Sequence, residues 1–135
     1  MAINTEGMAE GEIKLVDIII NNISFERNRN IQDMQLGLNI QHRFFKAEGG
    51  EDVAELSLLI EDKNANANKE FSLKVTVQGY FVANIESDRN YNANMLAIIF
   101  PFVRSQITLI TAQPNMMPII LPTINIDEFI KSNPQ

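Results

Sequence analysis

Residues 33–46 read DMQLGLNIQHRFFK, and their alternation decides the fold class. Met34, Leu36, Leu38, Ile40, His42 and Phe44 fall on one side of an extended chain; Gln35, Gly37, Asn39, Gln41 and Arg43 fall on the other. A period of two with one dry side and one wet side marks a strand whose sheet is covered on a single face. Two further stretches repeat the pattern. Residues 53–62 place Ala54, Leu56, Leu58 and Ile60 together, and residues 69–82 separate Phe71, Leu73, Val75 and Val77 from Glu70, Ser72, Lys74, Thr76 and Gln78. Residues 12–25 begin the same way with Ile13 and Leu15, then thicken into Ile18, Ile19 and Ile20, which predicts cover on both faces there. Glu48-Gly49-Gly50-Glu51 and the asparagine-rich residues 64–68 are turns by composition, because glycine and asparagine accept left-handed backbone angles. Four strands with short links predict an antiparallel sheet with one polar face.

After Asp88 the period changes to that of a helix. Met95, Ile98, Ile99, Phe102, Val103, Ile107 and Ile110 recur at spacings of three and four, and Leu96, Phe100 and Leu109 widen the stripe. The predicted helix covers residues 91–111, and Pro101 inside it predicts a kink or an internal start near Phe100. So wide a stripe calls for two partners, its own sheet and another subunit. Pro114, Pro118 and Pro122 then forbid regular helix around Met116, Met117, Ile119, Ile120 and Leu121, which predicts an extended apolar segment. Asn125 can cap a short last helix over residues 126–131, with Glu128 at its third position. The expected architecture is α+β: a four-stranded antiparallel sheet covered on one face by a long helix, plus a short C-terminal helix. No repeat or linker divides residues 1–135, so a single domain is expected.

Composition narrows the function. The chain has 135 residues, 45% hydrophobic, with 17 acids against 11 bases for a net charge of −6, and such a chain repels phosphate backbones. Nucleic acid is therefore not an expected partner. The charge is lopsided: residues 1–62 hold 12 acids and 5 bases, and residues 63–135 hold 5 acids and 6 bases. Cysteine is absent, which removes disulfides, thiolate nucleophiles and the common structural zinc sites. Residues 1–14 contain three glutamates and no apolar core of a secretory signal, and the longest apolar run, residues 95–103, is short for a membrane span. A soluble protein without membrane insertion is the expectation, and a reducing cytoplasm fits.

Catalytic constellations are hard to assemble from these residues. His42 is the sole histidine, so no two-histidine metal site can form within one chain, and it lies in phase with an apolar strand face where histidine is ordinarily a packed group. Glu51-Asp52 and Glu61-Asp62 are sequence neighbours, and neighbours on a strand point to opposite faces, which spoils them as an acid and base acting on one bond. The six glycines form no phosphate loop or dinucleotide fingerprint. No enzyme activity and no cofactor or metal are expected. What stands out is apolar material: 19 isoleucines, 6 methionines and 8 phenylalanines in a small domain. Core plus subunit contact would absorb it; so would an open apolar surface for other chains, a role that suits flexible, polarisable methionine. A small-molecule-binding or hydrolytic domain and a purely structural oligomer remain alternatives.

The last 40 residues are the most distinctive. Ile99-Phe100-Pro101-Phe102-Val103-Arg104, then Ile107-Thr108, and finally Leu121-Pro122-Thr123-Ile124-Asn125-Ile126-Asp127-Glu128-Phe129 resemble the C-terminal half of the SecB protein-export chaperones. Ser24-Phe25-Glu26 is similar to the end of that family's first strand. The resemblance implies an ATP-independent cytoplasmic chaperone that holds unfolded preproteins in apolar grooves for the Sec export pathway, hands them to the SecA motor, and assembles as a homotetramer, a dimer of dimers. By position it implies that Leu36, Leu38, Ile40, Phe44, Met116, Met117 and Ile119 bind client, that Glu26 docks SecA, and that Met95, Ile99, Phe102, Ile107 and Ile110 pack the oligomer. Lys74 stands where the family places a fourth-strand acid, Asn22 where it has an aspartate, and Pro114-Asn115 where it has a glycine. No acidic extension follows the predicted last helix. These departures touch SecA docking more than client holding, and they leave open a SecB-like chaperone dedicated to one client, such as an antitoxin.

Overall fold

The computed structural model describes residues 12–28, 35–63, 70–83, 91–125 and 128. In chain order they form β1 (Ile13–Arg27), β2 (Leu36–Lys46), β3 (Asp52–Asp62), β4 (Phe71–Ala83) and α1 (Asn92–Thr111). The strands make one antiparallel sheet in the order β1-β4-β3-β2. Strands β2, β3 and β4 follow one another as neighbours, while β1 lies beside β4, a Greek-key order. Among the described residues β1 and β2 are therefore the edge strands. Met34 and the 64–68 turn lie outside the described residues.

Cross-strand partners share a face, so the register sorts the side chains. Leu38 pairs with Ile60, Ile40 with Leu58, His42 with Leu56 and Phe44 with Ala54, which puts the apolar side of β2 on the same face as the apolar sides of β3 and β4. The β2–β3 connection is the expected glycine turn. Its closure is a backbone bond from the Ala47 N–H to the Glu51 carbonyl at 2.9 Å, and Gly50 sits at φ 90, an angle that side chains disfavour.

Strand β1 departs from its predicted pattern. Register shifts between Leu15 and Asp17 and between Ile20 and Asn22 each insert one residue, so the inward phase runs Ile13, Leu15, then Ile18, Ile20, then Ile23, Phe25. The isoleucine run is thus a phase change at an edge and not a strand covered on both faces. Ile19 and Ile20 remain 41% and 40% exposed.

Helix α1 lies across β3 and β4. Its seat is a trough made by the facing small residues Ala54 and Gly79: a Cβ at Gly79 would stand 2.5 Å from Ile99 Cγ2 and 2.9 Å from the Phe81 ring. Phe71, Leu73, Val75, Val77, Leu56 and Leu58 meet Leu96, Ile99, Val103 and Ile107 in the core, all 0–2% exposed. The helix runs without interruption through Pro101, so the expected internal start is absent. Pro101 and Ala97, the residue whose carbonyl loses its helical donor, are both exposed, and water can serve that carbonyl.

The proline-spaced segment is extended, as its sequence predicts. After α1 the chain turns at Pro114–Asn115, with Asn115 at φ 59, and runs back beside the helix. Thr108 Oγ1 donates to the Ile119 carbonyl at 2.9 Å, and the Ile119 N–H donates to Thr111 Oγ1 at 2.7 Å. The short C-terminal helix lies outside the described residues except for Glu128, whose backbone N–H donates to Asn125 Oδ1 at 3.2 Å.

Candidate functional site

Because α1 sits over β3 and β4, the apolar side of β2 is only partly covered. Leu36, Ile40, His42 and Phe44 are half-buried and Leu38 is 44% exposed, so five consecutive inward positions form a strip at the edge of the core. The His42 ring meets Phe44 edge-on at 5.5 Å, and burial holds its pKa below the ordinary imidazole value. The strip ends at the Lys46–Asp52 ion pair, 2.7 Å. Its chemistry is that of a shallow apolar shelf with polar ends, suited to burying side chains of another polypeptide.

The tail contributes unevenly. Met117 is 64% exposed and Ile120 78%, whereas Met116 is 8% exposed within the core cluster and Ile119 is half-buried. Met116 therefore serves the chain's own fold. Arg27, at the end of β1, positions this segment by donating to the Pro114 carbonyl at 3.0 Å and the Asn115 carbonyl at 3.5 Å. Its sequence signal is its inward phase at the end of β1; Thr108 and Thr111 signal themselves as two hydroxyls at helical spacing on an apolar helix.

The helical stripe also divides. Met95, Ile99 and Ile107, expected to pack an oligomer, are 0–5% exposed because they fill the seat on the sheet. Of the same five, Phe102 is 43% exposed and Ile110 half-buried, and Leu109 beside them is 65% exposed. Arg104, Ser105, Thr108, Leu109 and Ile120 line an open depression of about 380 Å³ between helix and tail. The helix has the length and mean hydropathy, 1.5, to cross a membrane, yet its buried stripe rests on the sheet.

The opposite face of the sheet is polar and internally bonded. Arg43 Nε and Nη2 donate to the two Glu55 carboxylate oxygens at 2.8 and 3.1 Å. Gln78 Nε2 donates to Glu55 Oε2 at 2.7 Å, and the Tyr80 hydroxyl donates to Gln78 Oε1 at 3.1 Å. The hydrogen bond from Arg43 holds the Glu55 carboxyl below the usual carboxylate range, and the Arg43 guanidinium also lies 4.8 Å over the Phe45 ring. Glu26 is exposed on this face, opposite Ser72, while exposed Lys74 is opposite Ser24 one step along. Among the described residues no cluster of three or more histidines or acids could hold a metal ion.

A four-stranded Greek-key sheet with one long helix on its apolar face and an extended apolar tail is a SecB-like fold. A solved structure with this fold is the Mycobacterium tuberculosis Rv1957 SecB-like chaperone, in complex with a ChAD peptide from the Rv1956 HigA1 antitoxin. It superposes with a TM-score of 0.65 at 14% identity, over 84% of this chain and 91% of the other. A protein of unknown function from Streptococcus agalactiae matches more loosely, with a TM-score of 0.46 at 11% identity over 85% of this chain and 100% of the other. No family model matches the sequence. By sequence the chain is 30% identical over 118 residues to the uncharacterized protein MJ0357 of Methanocaldococcus jannaschii, covering 84% of this chain and 75% of that one, and it belongs to the same family as that protein.

Proposed function

We propose that this chain is an ATP-independent, SecB-like holding chaperone dedicated to a particular client protein. The observation that carries this reading is the partly covered apolar strip Leu36, Leu38, Ile40 and Phe44 at the edge of a SecB-like core. An unfolded client offers apolar side chains, each worth roughly 1.5–3 kcal/mol on burial before entropy costs. Repeated weak contacts add through avidity, and no nucleotide is needed. Dedication to one client is supported by the structural neighbour, a SecB-like chaperone seen with an antitoxin peptide. Met117, 64% exposed, and half-buried Ile119 offer a further apolar patch on the tail. The protein acts as a binder and not an enzyme, in the cytoplasm.

Assembly into a homotetramer, a dimer of dimers, would draw on Phe102 and Ile110 of α1 and on the aliphatic edge of β1. General preprotein export with SecA docking is the second reading, favoured by the exposure of Glu26 on the polar face. Lys74 beside it and the pairing of Glu55 with Arg43 offset part of the acidity on that face, which favours the dedicated chaperone. The test is capture from native lysate together with suppression of aggregation of the captured protein on refolding. One stoichiometric partner kept soluble is the expected result; a broad set of signal-bearing preproteins would favour export, and failure to suppress aggregation overturns both.

A further inference from the structure

We infer that the open depression between α1 and the tail is a binding site for a small aliphatic carboxylate, a single anionic group carried on a hydrocarbon chain. The inference concerns a place apart from the β2 strip and does not depend on the chaperone reading.

Exposed apolar surface is the first ground. Among the described residues Ile120 at 78% and Leu109 at 65% are the two most exposed large hydrophobic side chains, and both line this one depression. An exposed aliphatic residue on its own is ordinary; the two most exposed ones, gathered on the walls of one cavity, offer a surface that a hydrocarbon chain would cover. The volume of about 380 Å³ falls within the range of small-molecule sites, about 300–1,000 Å³.

Charge selects the occupant. Residues 91–125 contain one charged side chain, Arg104, and no acid. Arg104 is half-buried against the same depression, and among the described residues no ion pair engages it. A guanidinium fork in a partly desolvated place, with no acid on its own segment, matches a planar carboxylate that accepts two N–H bonds at once, and a single cation matches a single negative charge. Ser105 beside it supplies a hydroxyl donor. The Thr108 hydroxyl is already given to the Ile119 carbonyl at 2.9 Å, so it offers the anion no proton. Arg104 and Ser105 precede Leu109 by about one helical turn, roughly 5.4 Å, so the depression has a polar end and an apolar end, the pattern of an amphiphile's head and chain.

The test titrates the intact protein with decanoate, decanol and decylamine below their micelle concentrations, by calorimetry and by amide chemical shifts. Decanoate should bind saturably and move the amides of Ser105 and Leu109, decanol should bind about tenfold more weakly, and decylamine should not bind. Arg104→Gln should bring decanoate down to the affinity of decanol while leaving decanol itself within about twofold. Ile120→Asp changes a side chain that is 78% exposed, so the fold is not at stake, and the added carboxylate should abolish decanoate binding. Equal affinity for decanoate and decanol, shifts confined to β2, indifference to Ile120→Asp, or no decanoate binding at all would each overturn the inference.

Discussion

The two edges of the sheet are built differently. Strand β1 is long, breaks register twice and exposes Val16, Ile19, Ile20 and Ile23 at 40–49%. Strand β2 is shorter and regular, and presents Arg43 and Lys46 to solvent. Bulges interrupt a backbone ladder, whereas a regular edge keeps an even row of backbone donors and acceptors. The proposed function assigns the exposed aliphatics of β1 to self-assembly and the apolar strip of β2 to client. The division is open to a direct challenge.

The largest effect is expected from a matched pair of substitutions. Leu38→Asp places a charge in the β2 strip and should lower affinity for unfolded client about a hundredfold, with assembly mass unchanged. Ile23→Asp, at an equally exposed position on β1, should reduce the assembly mass in sedimentation while leaving affinity per chain within about threefold. Exchange of the two outcomes would reverse the roles of the edges.

Next comes the seat of the helix, which decides how much of each edge is covered. Gly79→Ala forces a methyl against Ile99 and should cost about 2 kcal/mol in urea denaturation. An unchanged midpoint would mean that α1 can shift on the sheet without penalty. A smaller effect is expected at Arg27, which ties β1 to the tail. Arg27→Ala removes both bonds to the Pro114 and Asn115 carbonyls and should cost about 1 kcal/mol, with faster amide exchange at Ile119. If exchange there is unaffected, the two threonines alone hold the tail.

These contrasts were unequally legible in the sequence. The alternation of residues 33–46, 53–62 and 69–82 announces the strands and their inward faces, because burial on one face imposes a period of two that survives without any tertiary information. The helical stripe over residues 91–111 is equally plain. The β1 bulges are not, since an inserted residue looks the same as a doubly buried run until the partner strand is known. Strand order, and with it the identity of the edges, depends on long-range pairing that no local pattern encodes. For the same reason the helical stripe could not be divided in advance into sheet-facing and outward residues: Met95, Ile99 and Ile107 differ from Phe102 only in which way the seat at Gly79 turns the helix. The resemblance of the C-terminal motifs pointed to the SecB-like fold, while the bond network around Glu55 required the register.

The smallest expected effect separates the edges by pH. Burial depresses the His42 pKa, so the unfolded chain takes up a proton at a higher pH than the native one. Its contribution to stability is full above the ordinary imidazole value of about 6.5 and is lost as pH falls through the lower native value. Glu55, held below its ordinary range by Arg43, behaves alike further into acid: its contribution is present above about 4.3 and is lost as pH falls through the depressed native value. Both groups serve the β2 side, one on the strand and one bonded to it. Mild acid should therefore raise amide exchange along β2 before β1. His42→Phe should remove the first step and Glu55→Gln the second, and a β1 that loosens first, or a profile indifferent to both substitutions, would show that protonation does not distinguish the two edges.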